Sequence, residues 1–251
     1  TNFKFRNIQI RLSMKSKNFD INKIIKDFDN LDPEFIYPQG TSFEEIHKTL
    51  INRGGQIILE CGVRKGFSTS IFTYHSEKNN GHCFSVDIED CSDVVISEHW
   101  SFIQSDDRDV KKILNKFKLL DEKGIDILFI DSLHTAKHLK QVLYSWYPYL
   151  NKNSIIFIDD IDSFPYHRNQ PKNSLMNNIN WDEMNKFTID FSRSNKNDVT
   201  LVQIYKKSGL AKLYKNSEKG SLPNKIQSKD RSYILIKFIK VLRSIKNVIK
   251  N

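Results

Sequence analysis

The chain has 251 residues, a length that suits one α/β domain with extensions or two small domains. Hydrophobic residues make up 39% of it, so a folded core is expected, and no apolar run reaches the roughly 18–20 residues of a membrane span. The N-terminus lacks the basic start and apolar stretch of a secretory leader, and the three cysteines show no framework spacing. These features favour a cytoplasmic protein.

The formal charge of +9 is unevenly distributed along the chain. Residues 206–251 are rich in lysine, whereas the middle of the chain carries most of the aspartate. A positive balance raises nucleic acid or an anionic surface as a partner. Because the basic residues form a tail on a more balanced domain, a basic groove for nucleic acid is not expected.

Residues 1–54 are predicted to form an N-terminal arm and a helix. Within residues 1–40, the stretch "FDINKIIKDFDN" suits a short amphipathic helix, and the rest resembles an extended arm. Ser42 and Glu45 have the spacing of a capping box, and Gly54–Gly55 supplies a stop. A helix over about 42–53 follows from these signals.

Residues 55–207 are predicted to form one α/β domain. Apolar runs typical of buried parallel strands alternate with segments of helical period, among them 109–124 and a helix closed by Pro148. This alternation predicts a doubly wound parallel sheet that binds ligands at the carboxyl ends of its strands. Two further strands, joined as a hairpin, would bring the sheet to seven strands, mostly parallel with an antiparallel last strand. The predicted strands are 56–61, 82–88, 101–105, 125–131, 154–160, 187–192 and 199–207.

The segment 163–186 is long, polar and punctuated by prolines. A segment of that length at the ligand-binding edge of such a sheet is often a substrate loop or lid. The alternative is an exposed connection that contains a short helix.

The C-terminal region is predicted to be a linker, 208–229, followed by a basic amphipathic helix, 230–251. No acidic residue follows Asp230, and one helical face is apolar. Such a helix is typical of association with an anionic membrane surface or with a partner's groove. Packing on its own domain, or pairing in a homo-oligomer, is the alternative. The apolar face comprises Leu235, Phe238, Leu242, Ile245 and Ile249.

The turn after the first strand, in "LECGVRKGFSTS", has the features of a ligand-binding turn. Glu60 ends the strand, Gly62 and Gly66 let the backbone approach a ligand, and a helix begins near Ser68. Asp87 ends the second strand, where an acid can bind a ribose diol. The turn suits a nucleotide-like cofactor, although its spacing is not that of the dinucleotide fingerprint. An ordinary β–α turn is the alternative.

Three aspartates follow the fourth and fifth strands. Asp159 and Asp160 come directly after the apolar run that ends the fifth strand, and two adjacent carboxylates repel each other unless a cation compensates. Asp131 ends the neighbouring fourth strand, so the three carboxylates are expected to converge. Such a set of oxygen ligands suits Mg²⁺, or alternatively Mn²⁺ or Ca²⁺.

Together these motifs resemble the class I S-adenosylmethionine-dependent methyltransferases, over roughly residues 55–207. That family combines E/D-x-G-x-x-x-G after the first strand, an acid at the end of the second and a polar rim at the third. The resemblance implies a Rossmann-like fold and S-adenosyl-L-methionine as cofactor, with the adenine near Ser105 and Asp106. The cofactor-binding residues that it implies are Glu60, Gly62, Gly66, Ser68, Asp87, Ser105, Asp106 and Asp131.

Within that family the chain is similar to metal-dependent O-methyltransferases. In "FIDSLH", His134 lies three residues after Asp131, where catechol enzymes carry a lysine and methyltransferases of antibiotic deoxysugars carry a histidine. The chain departs from the family's usual pattern in having Ser132 after that aspartate. The resemblance implies Asp131, Asp159 and Asp160 as metal ligands and His134 as general base.

The expected activity is methylation of a sugar hydroxyl in a glycan or glycosylated metabolite. The alternatives are a catechol-like methyltransferase of small phenols, a nucleic-acid methyltransferase, and a non-catalytic protein that binds the cofactor. The "DSLH" sequence after the fourth strand argues against the nucleic-acid enzymes, which usually carry N/D-P-P-Y/F/W there.

Overall fold

A computed structural model describes residues 42–164, 167, 175–205, 208–226, 234–239 and 241–242. Helices and strands alternate through most of this range. The helices are α1 Ser42–Leu50, α2 Phe67–Asn79, α3 Val110–Lys116, α4 Leu119–Glu122, α5 Ala136–Trp146 and α6 Leu175–Ser194, with a 3₁₀ turn at Tyr147–Tyr149. The strands are β1 Ile57–Cys61, β2 His82–Asp87, β3 Trp100–Gln104, β4 Ile125–Ile130, β5 Leu150–Asp159, β6 Val199–Ile204 and β7 Leu210–Lys215.

The strands form one seven-stranded sheet in the order β3-β2-β1-β4-β5-β7-β6. Strands β1 to β5 pair in parallel, whereas β7 runs antiparallel to both β5 and β6. The predicted doubly wound, mostly parallel sheet is therefore confirmed. The strand order reverses between β1 and β4, and loops that diverge at such a point leave a crevice.

Helices cover both faces of the sheet. Alternate residues of each strand point to opposite sides, so both faces present apolar side chains to these helices. In β4, Leu128 and Ile130 pack with apolar side chains of α3, α4, α5 and α6. Their neighbours Ile127 and Phe129 pack on the other face against α1 and α2. All four side chains are almost fully buried. The polar residues that follow each strand are thus confined to the edge of the sheet.

The prediction of one continuous helix over 109–124 is wrong. Two short helices, α3 and α4, occupy this range instead. The first ends at Phe117, whose φ of −118° and ψ of 67° leave the helical region. The Phe117 ring is buried against Phe84, with ring centroids 4.8 Å apart. Contact with β2, which periodicity cannot show, therefore breaks the helix.

The predicted strand over 187–192 is also wrong: these residues belong to α6. Phe187, Ile189 and Phe191 alternate with polar residues as in a strand. In the structure, however, the buried residues are Met184, Phe187, Thr188 and Phe191, which are spaced by three or four as on a helix face. The predicted lid over 163–186 lies partly outside the described residues, and its described C-terminal part is the beginning of α6.

The linker predicted at 208–229 contains β7, and that boundary is wrong. Both lysines of this strand, Lys212 and Lys215, are buried. The Lys212 Nζ atom lies 2.6 Å from Glu45 Oε1, and the Lys215 Nζ atom donates to the carbonyl oxygens of Leu150, Ser217 and Glu218. Glu45 and Leu150, both distant in sequence, help to satisfy the two ammonium groups, so the strand is stable between β5 and β6.

Residues 216–226 follow β7 along the surface of the same domain. The Ile226 N–H donates to the Tyr144 hydroxyl oxygen at 2.9 Å, and Lys140 Nζ donates to the Ile226 carbonyl at 2.9 Å. A helical segment is present at 234–239 and 241–242. The predicted N-terminal arm lies outside the described residues. Within the described ranges, no helix combines the length and apolarity needed to cross a bilayer.

Candidate functional site

The carboxyl ends of β1 to β4 surround a cavity of about 400 Å³. It lies where the strand order reverses, which is the expected position of a ligand site in an open α/β sheet. Four of the residues predicted to bind a cofactor line it: Gly62, Asp87, Ser105 and Asp106.

The turn after β1 is fixed by Gly62 and Asp87. Gly62 has a φ of 101°, and a β-carbon on it would collide with the backbone of Asp131, so only glycine fits. The Asp87 carboxylate accepts hydrogen bonds from the backbone N–H groups of Val63 at 2.8 Å and Arg64 at 3.1 Å. The end of β2 therefore holds the glycine turn against the cavity.

Glu60 lies beneath this turn and does not line the cavity. Its side chain is fully buried and accepts hydrogen bonds from the hydroxyls of Ser68 at 2.5 Å, Thr69 at 2.8 Å and Ser85 at 2.6 Å. Burial raises the pKa of Glu60 to about 7, although the three hydroxyl donors oppose this. These hydrogen bonds place Glu60 and Ser68 between β1, β2 and α2.

Gly66, another predicted cofactor residue, precedes α2 in a left-handed conformation with a φ of 77°. A β-carbon there would press on the side chain of Val94, in the loop between β2 and β3. Gly66 thus permits close packing of that loop on the start of α2.

Three polar residues to which sequence reasoning assigned no role form a cluster at the cavity: Asp107, Ser132 and His138. The Asp107 Oδ2 atom accepts a hydrogen bond from the Ser132 hydroxyl at 2.6 Å and lies 3.0 Å from His138 Nε2. The indole N–H of Trp146 donates to the Asp107 carbonyl at 2.8 Å. The two adjacent acids in "QSDD" were the sequence feature that could have predicted the position of Asp107. No sequence feature predicted that His138 would join it, because the position of His138 depends on how α5 packs.

Asp106, beside this cluster, is paired with Arg108. The guanidinium donates from Nε to Oδ1 at 2.8 Å and from Nη2 to Oδ2 at 2.5 Å. This bidentate pair holds the pKa of the Asp106 carboxyl well below its usual range. An ionised carboxylate and a guanidinium therefore stand at the rim of the cavity.

Next to the cavity, His134 lies between two carboxylates. Its Nε2 atom is 2.9 Å from Asp131 Oδ1, and its Nδ1 atom is 3.0 Å from Asp160 Oδ2. Burial lowers the pKa of His134, but the negative charge of Asp160 and the hydrogen bond to Asp131 outweigh it and raise the pKa to about 9. The imidazole is therefore held as a cation that compensates both acids.

The backbone explains why Asp160 can turn toward Asp131. Ile130 of β4 is paired with Ile158 of β5, so Asp131 and Asp159 follow side by side. Asp160 then adopts a left-handed conformation with a φ of 59°, which aspartate tolerates better than most residues.

The structure brings together two of the three predicted metal ligands, Asp131 and Asp160, but not Asp159. Ligand atoms of Asp131, His134 and Asp160 lie within 4.8 Å of one another, and Asp159 is not in this group. The Asp159 side chain is buried, and its Oδ1 atom has no hydrogen-bond partner among the described residues. Burial, followed by the charges of Asp160 and Asp131, raises its pKa well above the usual range. The structure therefore brings His134, rather than Asp159, together with the other two.

The side chains of Asp131, His134 and Asp160 are of the types that bind divalent cations. Two carboxylates and one imidazole are partly exposed, and they converge tightly enough for one ion to contact all three. Carboxylates and water suit Mg²⁺ or Mn²⁺, and an imidazole nitrogen is compatible with the latter. The positive charge now supplied by His134 marks the place where such a cation would be stabilised.

On the other side of His134 lies Trp181 of α6. The two rings meet edge to face with centroids 5.8 Å apart, and Trp181 is almost fully buried. Nearby, the hydroxyl of Ser163 contacts the Asp182 carboxylate and lies 3.1 Å from His167 Nε2. Helix α6 therefore contacts the acidic group through Trp181, and the chain after β5 through Asp182.

Part of the chain matches a known family of proteins. Residues 59–161 match the family model described as a methyltransferase domain. This range runs from β1 to the residues just after β5 and includes Asp87, Asp131, His134 and Asp160. No curated protein sequence matches the chain.

Solved structures share the fold at low sequence identity. A Staphylococcus aureus protein assigned as a caffeoyl-CoA O-methyltransferase is 15% identical with a TM-score of 0.56, covering 79% of this chain and 93% of its own. The SAH-bound methyltransferase PaMTH1 of Podospora anserina is 13% identical with a TM-score of 0.54, covering 78% and 88%. The MycE methyltransferase of the mycinamycin biosynthetic pathway, in complex with Mg, SAH and mycinamycin VI, is 17% identical with a TM-score of 0.54. Its match covers 84% of this chain but only 58% of MycE.

Proposed function

We propose that this chain, whose residues 59–161 match the model of a methyltransferase domain, is an S-adenosylmethionine- and divalent-metal-dependent O-methyltransferase that modifies a sugar hydroxyl. The observation that carries the proposal is the position of His134 between Asp131 and Asp160, directly beside the cavity at the strand ends. A base and a pair of acids at this edge suit deprotonation of a hydroxyl next to a methyl donor.

The cavity is the proposed site of S-adenosyl-L-methionine. Asp87 would accept hydrogen bonds from the ribose hydroxyls, and Ser105 with Asp106 would lie near the adenine. Gly62 leaves room for the backbone to approach the cofactor. Since Asp131 borders Gly62 across the sheet, the methyl group would face the acidic group.

Asp131 and Asp160 are the proposed ligands of Mg²⁺ or Mn²⁺, with Asp159 completing the protein's contribution. When bound, the cation would supply the charge that lowers the pKa of an acceptor hydroxyl and of His134. His134, no longer needed to compensate the two carboxylates, is then the proposed base that accepts the hydroxyl proton. Trp181, packed against the His134 ring, would hold it in place.

The residues around His134 suggest which kind of molecule accepts the methyl group. A vicinal diol of a sugar offers two adjacent oxygens to one cation, which selects both the acceptor and its orientation. The D-x-x-H pattern, which places His134 three residues after Asp131, resembles that of enzymes that methylate antibiotic deoxysugars. The polar chain after β5, with Ser163 and Asp182, suits a hydroxylated acceptor better than an apolar ring.

The test is formation of S-adenosylhomocysteine from S-adenosylmethionine with a panel of glycosides, nucleotide sugars and catechols. Turnover is expected with a sugar, is expected to stop with EDTA and is expected to return with Mg²⁺. Asp131→Asn should behave like the chelated enzyme. Asp121→Asn, an exposed acid on α4 at the opposite edge of the sheet, should behave like the wild type. Full turnover in EDTA would remove the metal from the proposal, and turnover of catechols alone would replace the acceptor.

A further inference from the structure

The helical segment at 234–239 and 241–242 exposes an apolar stripe. Ile234, Leu235, Phe238, Val241 and Leu242 are between 44% and 79% exposed. Their spacing of one, three and four residues places them on one side of a helix. Exposed apolar surface of this kind, when it is contiguous, is a mark of an interaction surface.

Two other apolar side chains of the segment are less exposed. Ile236, opposite the stripe on a helical wheel, and Ile239, beside Leu235, are only partly exposed, whereas Lys237 is exposed. The exposed side of the segment therefore combines the stripe with a basic residue.

The charge of this region indicates which kind of partner could bind the apolar stripe. Residues 231–251 contain six basic side chains and no acidic one, and the whole chain carries +9. The basic residues are Arg231, Lys237, Lys240, Arg243, Lys246 and Lys250. Two copies of this tail would repel each other along their length, whereas an anionic surface would attract each one. A bilayer containing anionic lipids offers both an apolar interior for the stripe and negative charge for the lysines.

The attachment of the tail to the domain is consistent with such a contact. Ile226 is held by Tyr144 and Lys140 of α5, and seven residues, 227–233, separate it from the helical segment. Chain of that length reaches up to roughly 20 Å when extended. The domain can therefore remain intact while the helix lies in the membrane interface.

From these observations we propose that the helical segment at 234–239 and 241–242, which lies within the basic C-terminal sequence, binds the surface of an anionic phospholipid bilayer. The stripe of Ile234, Leu235, Phe238, Val241 and Leu242 would enter the headgroup region, and the basic residues would contact lipid phosphates. This places the enzyme at a membrane without a spanning helix, independently of the acceptor it methylates.

Co-sedimentation of the full chain with vesicles tests the proposal. Binding is expected to vesicles of phosphatidylcholine mixed with phosphatidylglycerol, to be weak with phosphatidylcholine alone, and to decrease at high salt. Phe238→Asp should lower the partition coefficient by roughly tenfold or more, because it places a charge in the apolar face. Lys237→Glu should lower it by about tenfold, since the anionic surface then repels that position.

Two matched controls separate these effects from general changes of the surface. Leu222→Asp alters another exposed apolar side chain, and Lys196→Glu reverses another exposed lysine, both outside the helix. Each should bind anionic vesicles within about twofold of the wild type, because neither lies in the amphipathic helix. Thermal unfolding should be unchanged in all four variants.

Several results would overturn the proposal: the intact chain staying in the supernatant with anionic vesicles, equal binding of all four variants, or equal binding to neutral vesicles. If Phe238→Asp instead converts a dimer to a monomer in sedimentation velocity, while no vesicle binding occurs, the stripe is a self-association surface. None of these outcomes affects the methyl-transfer assay, so the two proposals fail separately.

Discussion

His134 and Asp131 are three residues apart, and the Nε2 atom of the first lies 2.9 Å from the Oδ1 atom of the second. The spacing spans the end of β4 and the approach to α5, so the contact follows from a local turn. A third residue, Asp160, reaches the other ring nitrogen from β5 at 3.0 Å. The imidazole consequently joins two neighbouring strand ends beside the cavity.

Replacing His134 should identify the base. We expect His134→Gln to lower kcat by about 10²–10⁴, the usual contribution of a general base, with little effect on cofactor affinity. Steady-state turnover with saturating S-adenosylmethionine and Mg²⁺ measures this. His99→Gln, in which the replaced ring has its Nδ1 atom 2.8 Å from the Gly81 carbonyl oxygen, is the control. A kcat for His134→Gln within a few-fold of the wild type would assign the proton transfer to another group.

Replacing Asp160 should remove metal binding without disturbing the backbone. Asparagine tolerates the left-handed conformation of this position, so Asp160→Asn changes the charge and leaves the turn intact. We expect calorimetric titration with Mn²⁺ to show binding by the wild type and by Asp121→Asn, and at least about tenfold weaker binding by Asp160→Asn. Equal affinities in the three proteins would show that the acidic group does not hold the cation.

Replacing two glycines by alanine should affect stability to very different extents. Gly62→Ala forces a β-carbon against the Asp131 backbone at a φ of 101°, and we expect a loss of about 1–3 kcal/mol in the free energy of unfolding. Binding of S-adenosylhomocysteine, measured by calorimetry, should weaken as well. Gly54→Ala meets no atom within 4 Å and should change stability by less than about 0.5 kcal/mol. Similar behaviour of both variants would contradict the proposed close approach at Gly62.

Glu60 predicts a pH dependence of stability. Its pKa rises from an ordinary 4.5 to about 7 in the folded protein, so between these values the folded state holds a proton that the unfolded state has lost. The free energy of unfolding should therefore fall as pH rises from about 4.5 to 7, by up to about 3 kcal/mol from this group. Denaturant unfolding at a series of pH values measures it.

Glu60→Gln provides the test of that assignment. It keeps the shape of the side chain and should abolish this part of the pH dependence, whereas the exposed Glu122→Gln should leave it unchanged. The same slope in Glu60→Gln and in the wild type would mean that other groups cause it.

Much of the site could be predicted because parallel strands bring their carboxyl ends to one edge. Asp87, Ser105, Asp106 and Asp131 lie at the ends of three separate strands, and chain direction alone places them together. The pairing of Asp159 with Asp160 signalled a need for positive charge. The sequence did not show that His134 supplies this charge in the structure, since that depends on the turn at Asp160.

The amino-acid sequence by itself determined the alternation of strands and helices, the glycine turn and the polar residues after each strand, because these depend on local periodicity and chain direction. Only the tertiary structure decided that 187–192 is helical, that β7 completes the sheet and that Asp107, Ser132 and His138 meet at the cavity. Each of these depends on contacts between residues distant in sequence, such as the partners of Lys212 and Lys215. Burial of a charged group is stable only where such partners exist, and their positions are a property of the folded chain.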